Sequence, residues 1–258
     1  MGTLVASAYR DPKVNIGSVI STGSNAAYME RCNSIAKIKY SSEDPIAVNT
    51  ELAAYNNNRQ MLPLTNFDED VDHGSENPGA HIYEKMIAGL YLGELYRLIL
   101  LQLHSLGMLL MGRGISTLER PHIIDASFLS VAESDMTKSL VEMHELFQNK
   151  LGIDLDRDEL KVCRYLIELV GTRAARLYSC GIAALCRRMK MTHGHVGVDG
   201  SVFHHYMHFA DRARHALREI LDWPHKEDCI TFHAAEDGSG IGAALVAAMT
   251  MEQSGEKP

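Results

Sequence analysis

His195-Val196-Gly197-Val198-Asp199-Gly200-Ser201-Val202-Phe203 compresses a strand, a turn and a helix start into one short stretch. Residues 195–199 read as a strand. Asp199-Gly200-Ser201 is the turn, and residues 203–223 read as mostly helix. The same grammar recurs downstream. Residues 229–233 read as a strand, and Asp237-Gly238-Ser239-Gly240 turns the chain into an apolar helix over 241–251. Upstream, residues 15–20 read as a strand running into the turn-rich Ser21-Thr22-Gly23-Ser24-Asn25. Strands alternating with helices predict an α/β layer fold.

The remaining segments are read more coarsely. Residues 37–40 and 45–50 read as two further strands, and 55–80 as loop. Ile82, Met86, Ile87, Leu90, Leu95 and Leu98 follow helical spacing behind Pro78. A second long helix is expected over 156–188, with Leu160, Cys163, Leu166, Ile167, Val170, Ala174 and Leu177 on one stripe. Residues 1–8 carry no capping signal and look like the tail of something begun earlier. No internal repeat or linker stands out, so a single domain over 1–258 is expected.

Composition narrows the function classes. The 258 residues are 46% hydrophobic and 22% charged, which excludes a disordered or low-complexity chain. Lys plus Arg is 25 against 33 for Asp plus Glu, a net charge of −8. That balance argues against a nucleic-acid partner, which needs a basic face. The 5 cysteines are widely spaced without a C-x-x-C, as expected of reduced thiols in a cytoplasmic protein. The most apolar run, 98–111, is interrupted by Gln102, His104 and Ser105 and is too short to span a bilayer, so no membrane partner is expected.

Several motifs invite a chemical reading. Asp68, Asp70 and Asp72 alternate like the start of a calcium loop, but His73 and Gly79 stand where Gly and Glu are required. A solvated acidic loop is expected there. His193, His195, His204, His205 and His208 cluster in sequence, and His204 and His208 are spaced to share a helix face. No H-E-x-x-H or cysteine pair completes a ligand set, so no metal site is expected. No Walker A motif is present. The three small-residue turns at 21–25, 199–201 and 237–242 can each offer backbone N–H groups and a hydroxyl to a phosphate, or simply join strand to helix. Glu51 ends a strand and Glu84 opens a helix. With an amide such as Asn25, two carboxylates can hold a polyol through charge-assisted hydrogen bonds. Complementing the helix dipole is the plainer reading of Glu84.

A set of longer stretches goes further. These are Gly2-Thr3-Leu4-Val5-Ala6-Ser7-Ala8-Tyr9, Thr22-Gly23-Ser24-Asn25-Ala26-Ala27-Tyr28-Met29-Glu30, Val48-Asn49-Thr50-Glu51, Asn77-Pro78-Gly79 through Tyr83-Glu84-Lys85-Met86, and Tyr91-Leu92-Gly93-Glu94-Leu95. They continue with Ser127-Phe128-Leu129-Ser130, Val170-Gly171-Thr172-Arg173-Ala174-Ala175-Arg176-Leu177, Val198-Asp199-Gly200-Ser201-Val202 and Glu236-Asp237-Gly238-Ser239-Gly240. Together, and in this order, they resemble the C-terminal, larger lobe of the eukaryotic hexokinase family, nearest its fungal glucokinase branch.

The resemblance implies a ribonuclease-H-like, actin-type α/β lobe. It implies transfer of the ATP γ-phosphoryl group to the 6-hydroxyl of glucose or a similar hexose, with Mg arriving on the nucleotide. Asn25, Glu51 and Glu84 fall on the family's sugar-binding positions. Thr22 and Gly23 fall on a phosphate loop. Gly89, Ser130, Asp199, Gly200, Ser201, Val202 and on to His205 fall on the nucleotide side. The family's general-base Asp precedes a Val that aligns with Met1, so the base and a small lobe lie outside these residues. By itself this chain is expected to be nearly inactive, completed by a missing lobe or partner chain. The alternative is a non-catalytic sugar or nucleotide sensor. Ser21 replaces a family Gly and would be strained if the site needs positive φ. Ala126 replaces a nucleotide-side Thr, and Leu52-Ala53-Ala54-Tyr55-Asn56-Asn57 departs from the family run beside the sugar glutamate.

Overall fold

The computed structural model describes residues 1–37, 43–223 and 228–254, without the side chains of residues 253 and 254. In chain order the regular elements are α1 Gly2–Arg10, β1 Val14–Ile20, β2 Ser24–Arg31, β3 Pro45–Asn49, α2 Asn66–His73, α3 Ile82–Ile87, α4 Gly89–Ser105, α5 Ala126–Ser134, α6 Val141–Leu151, α7 Arg157–Arg188, β4 Gly194–Asp199, α8 Ser201–His205, α9 Phe209–Leu221, β5 Ile230–Ala234 and α10 Gly238–Ser254. They gather into two compact units. The first comprises Met1–Leu52, Ser179–His204 and Arg214–Pro258, and the second Ala53–Tyr178 and His205–Ala213.

The first unit holds a five-stranded sheet in the order β3-β2-β1-β4-β5. β1 pairs antiparallel with β2, and β2 antiparallel with β3. β1 is parallel to β4, and β4 to β5. The chain leaves β1 for β2 on one side while β4 lies on the other. Ligands of open α/β sheets bind outside the carboxyl ends of strands at such a switch. Leu4, Val14 and Ala27 form a buried cluster with Met29 and Ala47 packed against it. α1 lies so close to the sheet that a Cβ on Gly17 would stand 2.3 Å from the Leu4 backbone nitrogen. α10 approaches α1 as closely, with 2.0 Å between a Cβ on Gly242 and the Gly2 carbonyl oxygen.

Tertiary contacts override local signals here. β2 carries no Val or Ile, yet it is paired on both sides and buries Ala26 and Ala27. α1 has no side-chain cap and is fixed by burying Leu4 and Ala6. The strand expected over 37–40 lies mainly outside the described residues; Lys37 itself is in a turn. α10 begins at Gly238, not at Ile241.

The second unit is helical. Tyr83 Oη donates to the Leu177 carbonyl at 2.6 Å, and Tyr96 Oη to that of Cys163 at 3.3 Å. Phe128 and Phe147 meet edge-on at 5.1 Å. The helix expected from residue 81 breaks at Ala88, whose ψ of 150° is extended, so α3 and α4 are separate helices.

The segment read as loop over 55–80 contains α2, with a capping box in which the Thr65 side chain and Asp68 satisfy each other's backbone N–H groups. The expected solvated acidic loop is therefore corrected. Asp68 and Asp72 are buried, and only Asp70 of the three is exposed. Arg173 grips Asp68 with two hydrogen bonds of 2.8 Å. Lys85 Nζ donates to Asp72 Oδ1 at 2.6 Å and to the Asn77 carbonyl at 2.7 Å. Gly79 N–H lies 3.0 Å from the Asp72 carboxylate, and Arg59 joins from the open side. Burial alone would raise the Asp72 carboxyl. Lys85, the Gly79 N–H and Arg59 outweigh it and hold the group below the usual range.

Candidate sugar and phosphate sites

Three turns of the first unit meet at the carboxyl ends of β1 and β4. Gly200 has a φ of 112°, and a Cβ there would stand 2.3 Å from the Ile20 carbonyl oxygen, so only glycine lets the turn after β4 close on the end of β1. Ser21 Oγ and Ser201 Oγ lie 2.9 Å apart across that contact. Ser21 N–H donates to the Gly23 carbonyl at 2.9 Å. Ser21 is absent from the residues with positive φ, so the strain expected from replacing glycine does not arise. Asp199 ties the cluster together. Its Oδ1 accepts from Gly200 N–H at 2.7 Å, its Oδ2 from Ser239 N–H at 3.4 Å, and His204 Nε2 is 3.6 Å from Oδ1. Ser239 belongs to the first turn of α10. Thr22 and Ser201 are exposed, Gly23 is half-buried and Val202 is buried.

Asn25 organises a second cluster of the same unit. Its Oδ1 accepts from the N–H of Ala26 at 2.8 Å and of Leu52 at 3.2 Å, with Thr50 Oγ1 at 3.4 Å. Its Nδ2 donates to Asn49 Oδ1 at 3.0 Å, and Asn49 Nδ2 donates in turn to Glu51 Oε1. One amide on β2 thus pins the turn leaving β3 and presents an exposed carboxylate. Glu51 has a φ of 49°, a left-handed backbone that a non-glycine adopts at a cost of about 1–2 kcal/mol. Asn49 escaped the sequence reading; its spacing of two from Glu51 on a strand end was the available signal.

In the second unit, Glu84 sits on α3 with its side chain 15% exposed and His81 Nδ1 3.4 Å from Oε1. The Asp72–Lys85–Asn77 network holds the turn before α3 and α3 itself. Neighbouring Tyr91 has its phenol raised, by burial first and then by the Glu84 charge. Gly89 opens α4. Ser130 Oγ donates to the His205 carbonyl at 3.0 Å and accepts from Met207 N–H at 2.9 Å, tying α5 to the turn after α8. The expected shared helix face of His204 and His208 does not exist, because α8 ends at His205 and His208 lies in a turn with a φ of 62°.

The sheet order, with β2 antiparallel to its neighbours and parallel strands beyond β1, defines the class: a ribonuclease-H-like, actin-type ATPase fold. The hexokinase family model matches residues 15–249. A hexokinase of Emericella nidulans is 48% identical over 258 residues, covering 98% of this chain and 53% of that protein. Hexokinase-1 of Saccharomyces cerevisiae is 40% identical over 264 residues, covering 99% and 54%. The crystallised hexokinase of Schistosoma mansoni complexed with glucose superposes with a TM-score of 0.88 at 32% identity, over 96% of this chain and 56% of that one.

The chain belongs to the hexokinase family. It spans about half the length of the curated relatives it matches. Among the described residues no helix is long and apolar enough to cross a membrane. All 5 cysteines are free thiols, and burial pushes Cys163 and Cys186 up to about 12.

Proposed function

We propose that these 258 residues are the larger lobe of an ATP-dependent hexose 6-phosphotransferase acting on glucose or a similar hexose. The observation that carries this reading, beside family membership, is the Asn25–Asn49–Glu51 chain ending in an exposed carboxylate. Sugar hydroxyls donating to Glu51 would make charge-assisted bonds, and Asn25 would set the Glu51 turn; Glu84 is assigned to the sugar by its position in the family pattern.

The turn cluster around Asp199 fits a nucleotide's phosphates and their Mg²⁺. Gly200 lets the turn after β4 close against the end of β1, Ser21, Thr22 and Ser201 offer hydroxyls, and Ser239 lies in the first turn of a 17-residue helix whose dipole favours an anion. Asp199 would repel a bare phosphate and suits the metal side. Bound there, the nucleotide supplies the phosphoryl group. Gly23, Gly89, Ser130, Val202 and His205 are assigned to the same ligand by position in the family pattern. For Ser130 and Val202 the contact would be indirect, since one is engaged on both sides and the other is buried.

Phosphoryl transfer asks a protein mainly for positioning and charge neutralisation. A chain half the length of its relatives supplies part of that positioning, so binding is expected with turnover far below the roughly 10 s⁻¹ typical of enzymes. Calorimetric titration with glucose, beside a coupled assay for hexose 6-phosphate, tests this. Glucose binding that weakens at least 10-fold in both Glu51→Gln and Glu84→Gln is expected. Wild-type affinity in both variants would overturn the assignment.

A further inference from the structure

We infer that Asp11, His195 and His233 form a binding site for one divalent transition-metal ion of the zinc type. They come from the C-cap of α1, from β4 and from β5. One ligand atom from each lies within 4.8 Å of the other two. The topology explains the meeting. His233 pairs with Gly197, two residues along β4 from His195, so both imidazoles stand on one sheet face. A Cβ on Gly197 would lie 2.3 Å from Ser7 Oγ, so this is the face on which α1 lies, and Asp11 is one turn beyond Ser7.

The donors are already oriented as ligands. Asp11 Oδ1 accepts from Lys13 N–H at 3.0 Å, which leaves Oδ2 toward the imidazoles. His233 Nε2 is 3.1 Å from Thr231 Oγ1; donating its proton there leaves the Nδ1 lone pair facing Asp11. Metal-binding histidines are held in this way by a partner on the second nitrogen. The rings of His195 and His233 stack at 3.9 Å. Asp11 Oδ2 is 2.5 Å from His195 Nδ1 and 3.5 Å from His233 Nδ1. Tetrahedral zinc at bond lengths near 2.0 Å separates its ligands by about 3.3 Å, so the Asp11–His195 contact must open by about 0.8 Å, while the two imidazole nitrogens, within 4.8 Å of each other, settle to the same spacing.

A cavity of about 110 Å³, lined by Ser7, Arg10, Asp11, His233 and Glu236 among others, gives water room to complete the coordination. Two imidazoles and one carboxylate select zinc, cobalt, nickel or copper over Mg²⁺ and Ca²⁺. The site is separate from the nucleotide's metal: His195 is four residues, roughly 13 Å of strand, from Asp199. An ion there would clip α1 to β4 and β5.

The test is titration of the chelator-stripped 258-residue chain with Co²⁺, read by visible absorption, and with Zn²⁺, read by calorimetry, both in excess Mg²⁺. One equivalent is expected to bind, with the visible bands of low-coordinate cobalt and a rise in melting temperature. His233→Ala, at a half-exposed position where truncation leaves no core void, is expected to weaken binding more than 100-fold and to remove the thermal shift. Thr231→Val is expected to weaken it about 10-fold. Binding unchanged in His233→Ala, or no stoichiometric binding by the wild-type chain, would overturn the inference.

Discussion

Removing one member of the Asp72 network is the sharpest test of how the second unit holds α3. Lys85 and Asp72 have side chains 3% and 2% exposed, so neither charge has water to fall back on. Breaking a buried pair by deleting one partner costs about 3–5 kcal/mol. The two halves of the pair are not equivalent. Without Lys85, the Asp72 carboxylate still accepts from Gly79 N–H and faces Arg59. Arg59 is one-third exposed, so its compensation is worth no more than about 1 kcal/mol. Lys85→Met is therefore placed near 3 kcal/mol. Without Asp72, the Lys85 ammonium keeps only the Asn77 carbonyl at 2.7 Å, and Gly79 N–H loses its acceptor. Asp72→Ala is placed near 4–5 kcal/mol. At about 2–4 °C per kcal/mol for a chain of this size, melting followed by circular dichroism should fall about 6–12 °C and 8–20 °C respectively. The double variant should lie well above the sum of the singles, because no charge is left stranded. Asp72→Ala melting within 2 °C of wild type, or Lys85→Met as the costlier change, would refute the reasoning.

Other consequences follow from single residues. Glu51→Gly relieves a φ of 49°, so it is expected to raise stability by up to about 1 kcal/mol while glucose binding is lost; lower stability would mean the carboxylate serves the fold. Gly17→Val drives a side chain into the Leu4 backbone and should cost about 3 kcal/mol or leave the chain insoluble, with a wild-type melting curve counting against the close approach of α1. The acid limb of stability has a definite sign. Burial works against ionised Asp72, Glu94 and Asp135, yet Lys85 for the first, Arg97 and the His122 N–H for the second, and Thr137 for the third hold each below its ordinary value. A depressed folded value means the stabilisation is complete above the unfolded carboxyl range near pH 4 and is lost as pH falls through the folded values. Urea midpoints flat from pH 5 to 7 and falling below pH 4 are expected; a decline already complete by pH 5 would contradict it.

The turns were legible because glycine and hydroxyl residues at strand ends have few other reasons to occur together, and Gly200 is held to its place by the Ile20 carbonyl. β1, β4, β5 and α7 were legible from periodicity. β2 was not, since Ser24-Asn25-Ala26-Ala27 has weak strand propensity and is a strand only because β1 and β3 flank it. α2 was hidden by reading alternating aspartates as a surface loop, when Asp68 serves a cap and an arginine and Asp72 a buried lysine. The Asp125 cap of α5 and the Gly152 stop of α6 were signals left unread. The Asp11–His195–His233 meeting was out of reach, because it depends on sheet order rather than on any spacing.

Amide shift mapping of the isotope-labelled 258-residue chain, titrated first with glucose and then with a Mg²⁺-bound non-hydrolysable ATP analogue, is the most direct measurement. Glucose is expected to move the amides of Asn25, Glu51 and Glu84, and the nucleotide those of Ser21, Gly23, Gly200, Ser201 and Ser239. Saturating glucose that leaves Glu51 and Glu84 unmoved, or a nucleotide that perturbs neither the β1–β2 turn nor the start of α10, would contradict the placement of both ligands.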